Sequence, residues 1–210
     1  MGTRFLESLT ATQSKATLKH IKALGGSIFR RAVADCQLIM ALSCFLGLRP
    51  GEIAGLRWED FDNECVHIRR SVVRGHLDTP KTQESIADLP LVDPRILMPV
   101  KIWWEKCSQP REGFVFQNAD GSHLHDLGNL LGKRIRPIVK AARMEWKGLY
   151  AGRRGACTAV IEITGSAAVA QQLLRHKSMT TTLTVYKKQI SDSAFRAGMK
   201  KLAASNGSTE

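Results

Sequence analysis

The stretch LGLRPGEIAGLRWEDFD, from Leu46 to Asp62, decides how the chain is interpreted. Residues 37–46 before it are almost all apolar, which predicts a helix that is buried on every side. Gly47 and Pro50 end that helix, and proline is favoured at the first position of a helix, so a second short helix is expected from Pro50. Arg49 therefore lies in a short turn between two predicted helices.

The pattern downstream of this stretch changes twice. Between Cys65 and Leu91, short apolar runs separated by turn formers predict two or three short antiparallel strands. Helical periodicity then returns in Arg95–Cys107, Leu127–Arg143, Arg154–Thr164, Ala167–Leu174 and Asp192–Ala204, and an interrupted helix over Thr12–Val33 precedes the apolar run. The predicted fold class is α+β, mainly α, with one small antiparallel β-sheet.

Composition and charge limit the possible functions. Of the 210 residues, 43% are hydrophobic and 24% are charged, which excludes a disordered tail, a collagen-like chain and a coiled-coil rod. The net charge of +12 indicates a polyanionic partner, either nucleic acid or, as the weaker alternative, an anionic membrane surface. Basic residues cluster in the second half, with eight between Lys133 and Arg154 against one acid, which favours a DNA-facing surface over an evenly solvated one.

The cysteines and the apolar runs predict a cytoplasmic protein. The five cysteines are scattered and form no CxxC pair, which is typical of reduced thiols rather than of a disulfide or zinc framework. The longest apolar stretch, residues 36–48, is too short to span a bilayer, and we find no secretion signal. No metal site is predicted, because His123 and His125 are better explained as parts of a loop.

Tyr186 is one of only two tyrosines, and it lies just before the two lysines that end the threonine-rich segment LLRHKSMTTTLTVYKK. Most such tyrosines only pack, with a hydrated hydroxyl. The alternative is a phenol nucleophile, whose ordinary pKa of about 10 must be offset by nearby positive charge or by a base. His176 and the neighbouring lysines would supply that field.

Five ordered motifs resemble those of the tyrosine recombinases, the phage-integrase family. The opening stretch resembles the first signature box of that family, and Tyr186 falls where the nucleophile belongs. The others are TPKT at 79–82 with ADLPL at 87–91, YAGRRGA at 150–156 and LRHKS at 174–178, so that the resemblance extends from about Gln37 to Lys188.

The resemblance implies a role for each matched residue. Arg49 and Arg153 would bind the scissile phosphate through their planar guanidinium groups, with Glu52 in support and His176 as a further donor. Lys81 would protonate the leaving 5′ hydroxyl, and Tyr186 would hold the 3′ phosphate as an ester, without any cofactor. Residues expected to contact the DNA backbone are Lys133, Arg134, Arg136, Lys140, Arg154 and Lys177.

Two departures from the family pattern keep alternatives open. Tyr150 stands where the family usually has a histidine, and a phenol is a poor base at neutral pH. Residues 1–36 resemble only the last helix of the N-terminal domain of the family, followed by a catalytic domain over 37–204 and a disordered tail over 205–210. The predicted function is a site-specific DNA recombinase. A type IB topoisomerase, an impaired DNA-binding remnant of an integrase and a basic helical regulator are the alternatives.

The expected partner is double-stranded DNA. The resemblance implies a homotetramer on paired DNA sites for a full-length enzyme, and possible monomers in solution. The apolar residues Phe195, Met199 and Leu202 would lie on one face of a terminal helix, which would dock either on a neighbouring protomer or on its own domain.

Overall fold

The computed structural model of the chain describes residues 34–78, 86–124, 127–141, 143 and 145–187. The predicted helices at 12–33 and 192–204, the tail, Lys81 and His125 lie outside these residues. The described elements, in chain order, are α1 (Ala34–Cys44), α2 (Pro50–Ala54), a 3-10 turn (Trp58–Asp60), β1 (Cys65–Ile68), β2 (Ser71–Val73), β3 (His76–Asp78), β4 (Ala87–Pro90), α3 (Pro94–Lys106), α4 (Leu127–Ala141), α5 (Leu149–Thr164), α6 (Ala167–Leu174) and α7 (Met179–Lys187).

Helix α1 is the buried apolar helix that the sequence predicts. Leu38, Ile39 and Leu42 have no exposed surface, and burying each such side chain contributes about 1.5–3 kcal/mol. The described part of the helix, Ala34–Cys44, already includes three residues before the predicted start. The predicted boundary between residues 36 and 37 therefore falls inside this helix, and the rest of the domain division remains a prediction.

Among the described residues between 65 and 90 there are four short strands, one more than the largest number expected. They pair in two antiparallel ladders, with β1 paired to β4 from Cys65↔Pro90 to Ile68↔Ala87 and β2 paired to β3 from Ser71↔Asp78 to Val73↔His76. Val66, Ile68 and Leu89 turn toward the core. The alternation of apolar and polar residues along short strands predicts which residues are buried, but it does not specify which strands pair.

Helix α5 begins at Leu149, five residues before the predicted start, and so includes both Tyr150 and Arg153. Its first turn packs directly on α1, where Ser43 Oγ donates a hydrogen bond of 2.8 Å to the carbonyl oxygen of Leu149. Gly152 permits this approach, because a Cβ atom there would lie 2.7 Å from Cys44 Sγ. Tertiary packing thus extends the helix beyond its apolar pattern.

The buried apolar residues form two clusters. The larger surrounds α1 and includes residues of the strands, α3 and α4. The smaller consists of Ala156, Cys157, Ile161, Ala170 and Leu174, against which Val185 and Tyr186 of α7 pack. The turn after α1 and the end of α6 meet where the two clusters adjoin. Within the described ranges, no helix is long and apolar enough to cross a membrane.

Candidate active site

The turn after α1 places Arg49 at the start of α2. Gly47 has φ +63°, and a Cβ atom on it would lie 2.4 Å from Leu174 Cδ2, so both the backbone and the packing require glycine. Glu52 then accepts a hydrogen bond of 2.7 Å from the backbone N–H of Arg49 and one of 2.6 Å from Arg49 Nη1. Glu52 thereby fixes both the helix start and the guanidinium group of Arg49.

Arg153 bridges two distant turns. Its Nη1 donates to the carbonyl oxygen of Gly47 and its Nη2 to that of Leu174, and the residue is buried. Arg154, the next residue, is only half-buried and makes neither bond. Burial and the neighbouring Arg49 lower the pKa of Arg153 to about 9, which still leaves it charged at neutral pH. This arrangement supports Arg153, and not Arg154, as the phosphate-binding candidate.

Arg175 closes the cluster, and sequence reasoning missed it. Its Nη2 donates a hydrogen bond of 2.6 Å to Glu52 Oε2, and its carbonyl oxygen accepts one of 3.3 Å from Arg49 Nη2. The only signal in the sequence is a basic residue immediately before His176. Nothing in that position predicts a contact with Glu52, which lies 123 residues away in the chain.

His176 follows Arg175 and is oriented by α7. Its Nδ1 lies 2.9 Å from the hydroxyl oxygen of the buried Thr182. Burial, together with the positive charges of Arg153, Arg49 and Arg175, lowers the pKa of His176 to about 4. The ring is therefore neutral at neutral pH, and a neutral imidazole can donate a hydrogen bond to a phosphate or accept one from a phenol.

Tyr186 lies one helical turn after Thr182 on α7, a helix that the sequence analysis did not predict. The side chain is half-buried against the smaller apolar cluster. Burial, and then the charge of Glu162, raise the pKa of Tyr186 above its ordinary value. The expected lowering by nearby cations is thus not seen in the described structure, where burial and a carboxylate act in the opposite direction.

Tyr150 is more exposed than the members of this cluster. Tyr150 is the second residue of α5, three residues before Arg153, and is 56% exposed. Lys81 lies outside the described residues. The structure therefore brings together Arg49, Glu52, Arg153 and His176 of the predicted site, and adds Arg175 and Thr182.

The candidate DNA-binding residues lie mainly on the outer face of α4. Lys133, Arg136 and Lys140 are exposed there, opposite the buried face formed by Leu127, Leu131, Ile135 and Val139. Arg134 has a structural contact as well, since its Nη1 pairs with the buried Asp35 of α1. Lys177 is exposed beside His176. A basic surface thus extends from α4, and a further cation lies next to the cluster.

No group of three or more histidine, cysteine or acidic residues that could hold a metal ion occurs in the part of the chain that the structure describes. His123, which the sequence placed in a loop, has its Nε2 3.1 Å from the carbonyl oxygen of Gly75. The basic charge of the cluster is suited to an anionic ligand instead.

The solved structures that are similar to this chain in fold include a transposon integrase and two recombinases. The Tn1549 transposon integrase in complex with transposon right end DNA has a TM-score of 0.65 and 21% identity, over 91% of this chain and 66% of that chain. XerA recombinase has a TM-score of 0.66 and 17% identity, over 90% and 62%. XerH site-specific recombinase bound to a palindromic difH substrate, in a post-cleavage complex, has a TM-score of 0.58 and 19% identity, over 94% and 49%. The chain thus spans less than two thirds of the length of these proteins.

The sequence model of the phage integrase family matches residues 7–207, and the chain therefore belongs to that family. A comparison with curated proteins returns no match. The residues of the cluster around Arg49 and Arg153 all lie within the part of the chain that the family model matches.

Proposed function

We propose that the chain is the catalytic part of a site-specific DNA recombinase that cuts and rejoins DNA through a 3′-phosphotyrosyl intermediate. The observation that carries this proposal is the cluster of Arg49, Glu52, Arg153 and His176, which is assembled from three separate segments around one turn. Charge stabilisation by such donors is the main requirement of phosphoryl transfer.

The two arginines retain donors for a phosphate. A guanidinium group carries five N–H donors, and the described partners of Arg49 and Arg153 occupy two on each. The Arg49 side chain is 32% exposed, so a DNA phosphate can reach it. Arg153 is more deeply buried, and it both holds the two turns together and adds charge behind the phosphate.

In the proposed reaction, the phenol oxygen of Tyr186 attacks the scissile phosphorus. The bond between phosphorus and the 5′ oxygen breaks, and the 3′ phosphate remains on the tyrosine as an ester. Lys81 gives a proton to the departing 5′ oxygen, and the proton of the phenol passes to water, because the lowered pKa of His176 makes its ring a weak base. Attack of a 5′ hydroxyl on the ester reverses these steps, so that rejoining requires no ATP.

Double-stranded DNA is the proposed substrate, held by the exposed cations of α4 together with Arg154 and Lys177. Two of the similar proteins were solved with DNA bound. We also propose that the active form is a homotetramer on paired sites and that it acts in the cytoplasm, where the DNA lies. Its affinity should fall steeply with salt, because phosphate contacts release counterions.

An impaired DNA-binding remnant is the second candidate. It is favoured by Tyr150, which is exposed at the start of α5 in the position where the family usually has a histidine. Such a protein would bind DNA with the same salt dependence and form no covalent product.

A trapping experiment distinguishes the two functions. The chain is incubated with a labelled pool of nicked duplexes of random sequence, in which cleavage releases a short strand and prevents rejoining. We expect a labelled protein–DNA band on a denaturing gel, absent for Tyr186→Phe and retained for the matched variant Tyr150→Phe. DNA binding without such a band for the unmodified chain would contradict the recombinase and support the remnant.

A further inference from the structure

Arg175 has a backbone conformation that arginine seldom adopts. It caps the C-terminus of α6 with φ 53° and ψ 47°, in the left-handed region. Glycine is the usual residue at such a helix end, because a side chain there is strained. A strained residue that persists in a folded chain suggests that its side chain makes contacts which compensate for the strain.

The contacts of that side chain all lie inside the site. It is 2% exposed, its Nη1 donates to the carbonyl oxygen of Leu173 at 3.0 Å, and its Nη2 donates to Glu52 Oε2 at 2.6 Å. Its Nε is buried and has no hydrogen-bond partner among the described residues. The carboxylate of Glu52 is therefore held between two guanidinium groups, those of Arg49 and Arg175.

The burial of Arg175 separates its role from that of Arg49. The Arg175 side chain is 2% exposed and directs its described hydrogen bonds to Leu173 and Glu52, whereas the Arg49 side chain is 32% exposed. Arg175 can still act on the phosphate indirectly, because Glu52 positions the Arg49 guanidinium and the carbonyl oxygen of Arg175 accepts a bond from the same group. Arg175 also directly precedes His176, so one residue connects both phosphate-facing groups.

We propose that Arg175 is a positioning residue that holds Glu52, and through it Arg49 and the adjoining His176, in the geometry that receives the scissile phosphate. This inference rests on the proposed recombinase function. Without the Arg175 side chain, the Glu52 carboxylate loses one of the two guanidinium groups that hold it, and the Arg49 guanidinium that Glu52 positions is fixed less firmly.

The first test compares three variants in the trapping experiment. Arg175→Gly removes the side chain and suits the left-handed backbone, while Arg175→Lys keeps the charge. Arg74→Gly is the matched control, because Arg74 is exposed and has φ 52°. We expect Arg175→Gly to lower the rate of adduct formation by about 10- to 100-fold, the loss typical of misplaced catalytic groups. Arg175→Lys should recover part of the rate, and Arg74→Gly should leave it unchanged.

DNA affinity should stay the same in all three variants, because Arg175 does not reach the DNA. An unchanged adduct rate in Arg175→Gly overturns the proposal, and so does an equal loss of affinity and rate. If the glycine variant does not fold, Arg175→Gln replaces it, since it retains a polar side chain without the charge, and the same loss is expected.

A second readout needs no cleavage. The His176 ring faces Arg153, Arg49, Arg175 and the Thr182 hydroxyl, so its titration followed by NMR reports on the cluster. The His176 pKa should rise in Arg175→Gly and stay low in Arg175→Lys and Arg74→Gly. An unmodified chain that forms no adduct contradicts the proposed function alone. An unchanged His176 titration in Arg175→Gly contradicts the role of Arg175.

Discussion

Two polar clusters in the molecule shift the pKa of their histidines in opposite directions. The cationic cluster is largely buried and has three arginines for one carboxylate; its members are Arg49, Glu52, Arg153, Arg175 and His176. The strand cluster is exposed on the β1–β4 ladder and has two carboxylates for one arginine; its members are Asp62, His67, Arg69 and Asp88.

The surroundings explain the difference between the two histidines. Burial and the arginines lower the pKa of His176 to about 4, whereas hydrogen bonds to Asp88 and Asp62 raise the pKa of His67. In the strand cluster each charged group has a partner of opposite charge or a histidine within hydrogen-bond distance, and the contact of His67 with Asp88 joins β1 to β4. The cationic cluster keeps an uncompensated positive charge, which folding alone does not require. Such an excess is typical of a site prepared for an anion.

The largest expected difference between the clusters is in DNA cleavage. Arg153→Lys keeps the charge but cannot bridge Gly47 and Leu174 at once, because lysine lacks the forked geometry. We expect the rate of adduct formation to fall by about 100- to 1000-fold, as for the loss of other charge-stabilising donors. The matched variant Arg69→Lys in the strand cluster should retain the rate. Equal losses in the two variants would remove the distinction between the clusters.

The two clusters should also differ in how much they contribute to the free energy of unfolding. Glu52→Gln leaves Arg49 and Arg175 without their shared carboxylate, and breaking such a buried pair costs about 3–5 kcal/mol. Asp88→Asn, in the exposed cluster, should lower the free energy of unfolding much less. Urea unfolding followed by circular dichroism measures both. A larger loss for Asp88→Asn would show that the strand cluster contributes more to stability than the cationic cluster.

The smallest expected effect concerns the pH dependence of stability, which should have opposite signs for His176 and His67. Between about pH 4 and 6.5 the unfolded chain protonates His176 more readily than the folded chain does, so stability should fall as the pH drops through this range. His67 contributes its full stabilisation below pH 6.5 and loses it as the pH rises through its raised pKa. These slopes can be measured as unfolding midpoints at a series of pH values. His176→Asn should remove the fall in stability on acidification, and His67→Asn should remove the fall as the pH rises. The reverse assignment would contradict the stated pKa shifts.

The sequence predicted the parts of the site that motifs and spacing specify. Arg49 and Glu52 could be located because the stretch around them resembles the first signature box of the family, and Arg153 because of the register of its own box; the structure brings both arginines to the same turn. The antiparallel strands and the buried character of α1 were also predictable from their apolar patterns.

The role of Arg175 and the helix α7 could not be predicted, because both depend on contacts between distant parts of the chain. The contact of Arg175 with Glu52 depends on a left-handed backbone that turns its side chain toward a residue 123 positions away. The threonine-rich segment of α7 has a low intrinsic helix propensity. It is helical because Thr182 is fully buried and because Val185 and Tyr186 pack against the smaller apolar cluster.

Mapping the covalent DNA attachment tests the central claim most directly. The chain has two tyrosines, and trypsin places Tyr150 in the peptide 148–153 and Tyr186 in the peptide 178–187. After trapping and nuclease treatment, mass spectrometry should find a nucleotide phosphate on the peptide 178–187 of the unmodified chain. A phosphate on the peptide 148–153 would contradict the assignment of Tyr186 as the nucleophile, and so would a trapped product with no modified tyrosine.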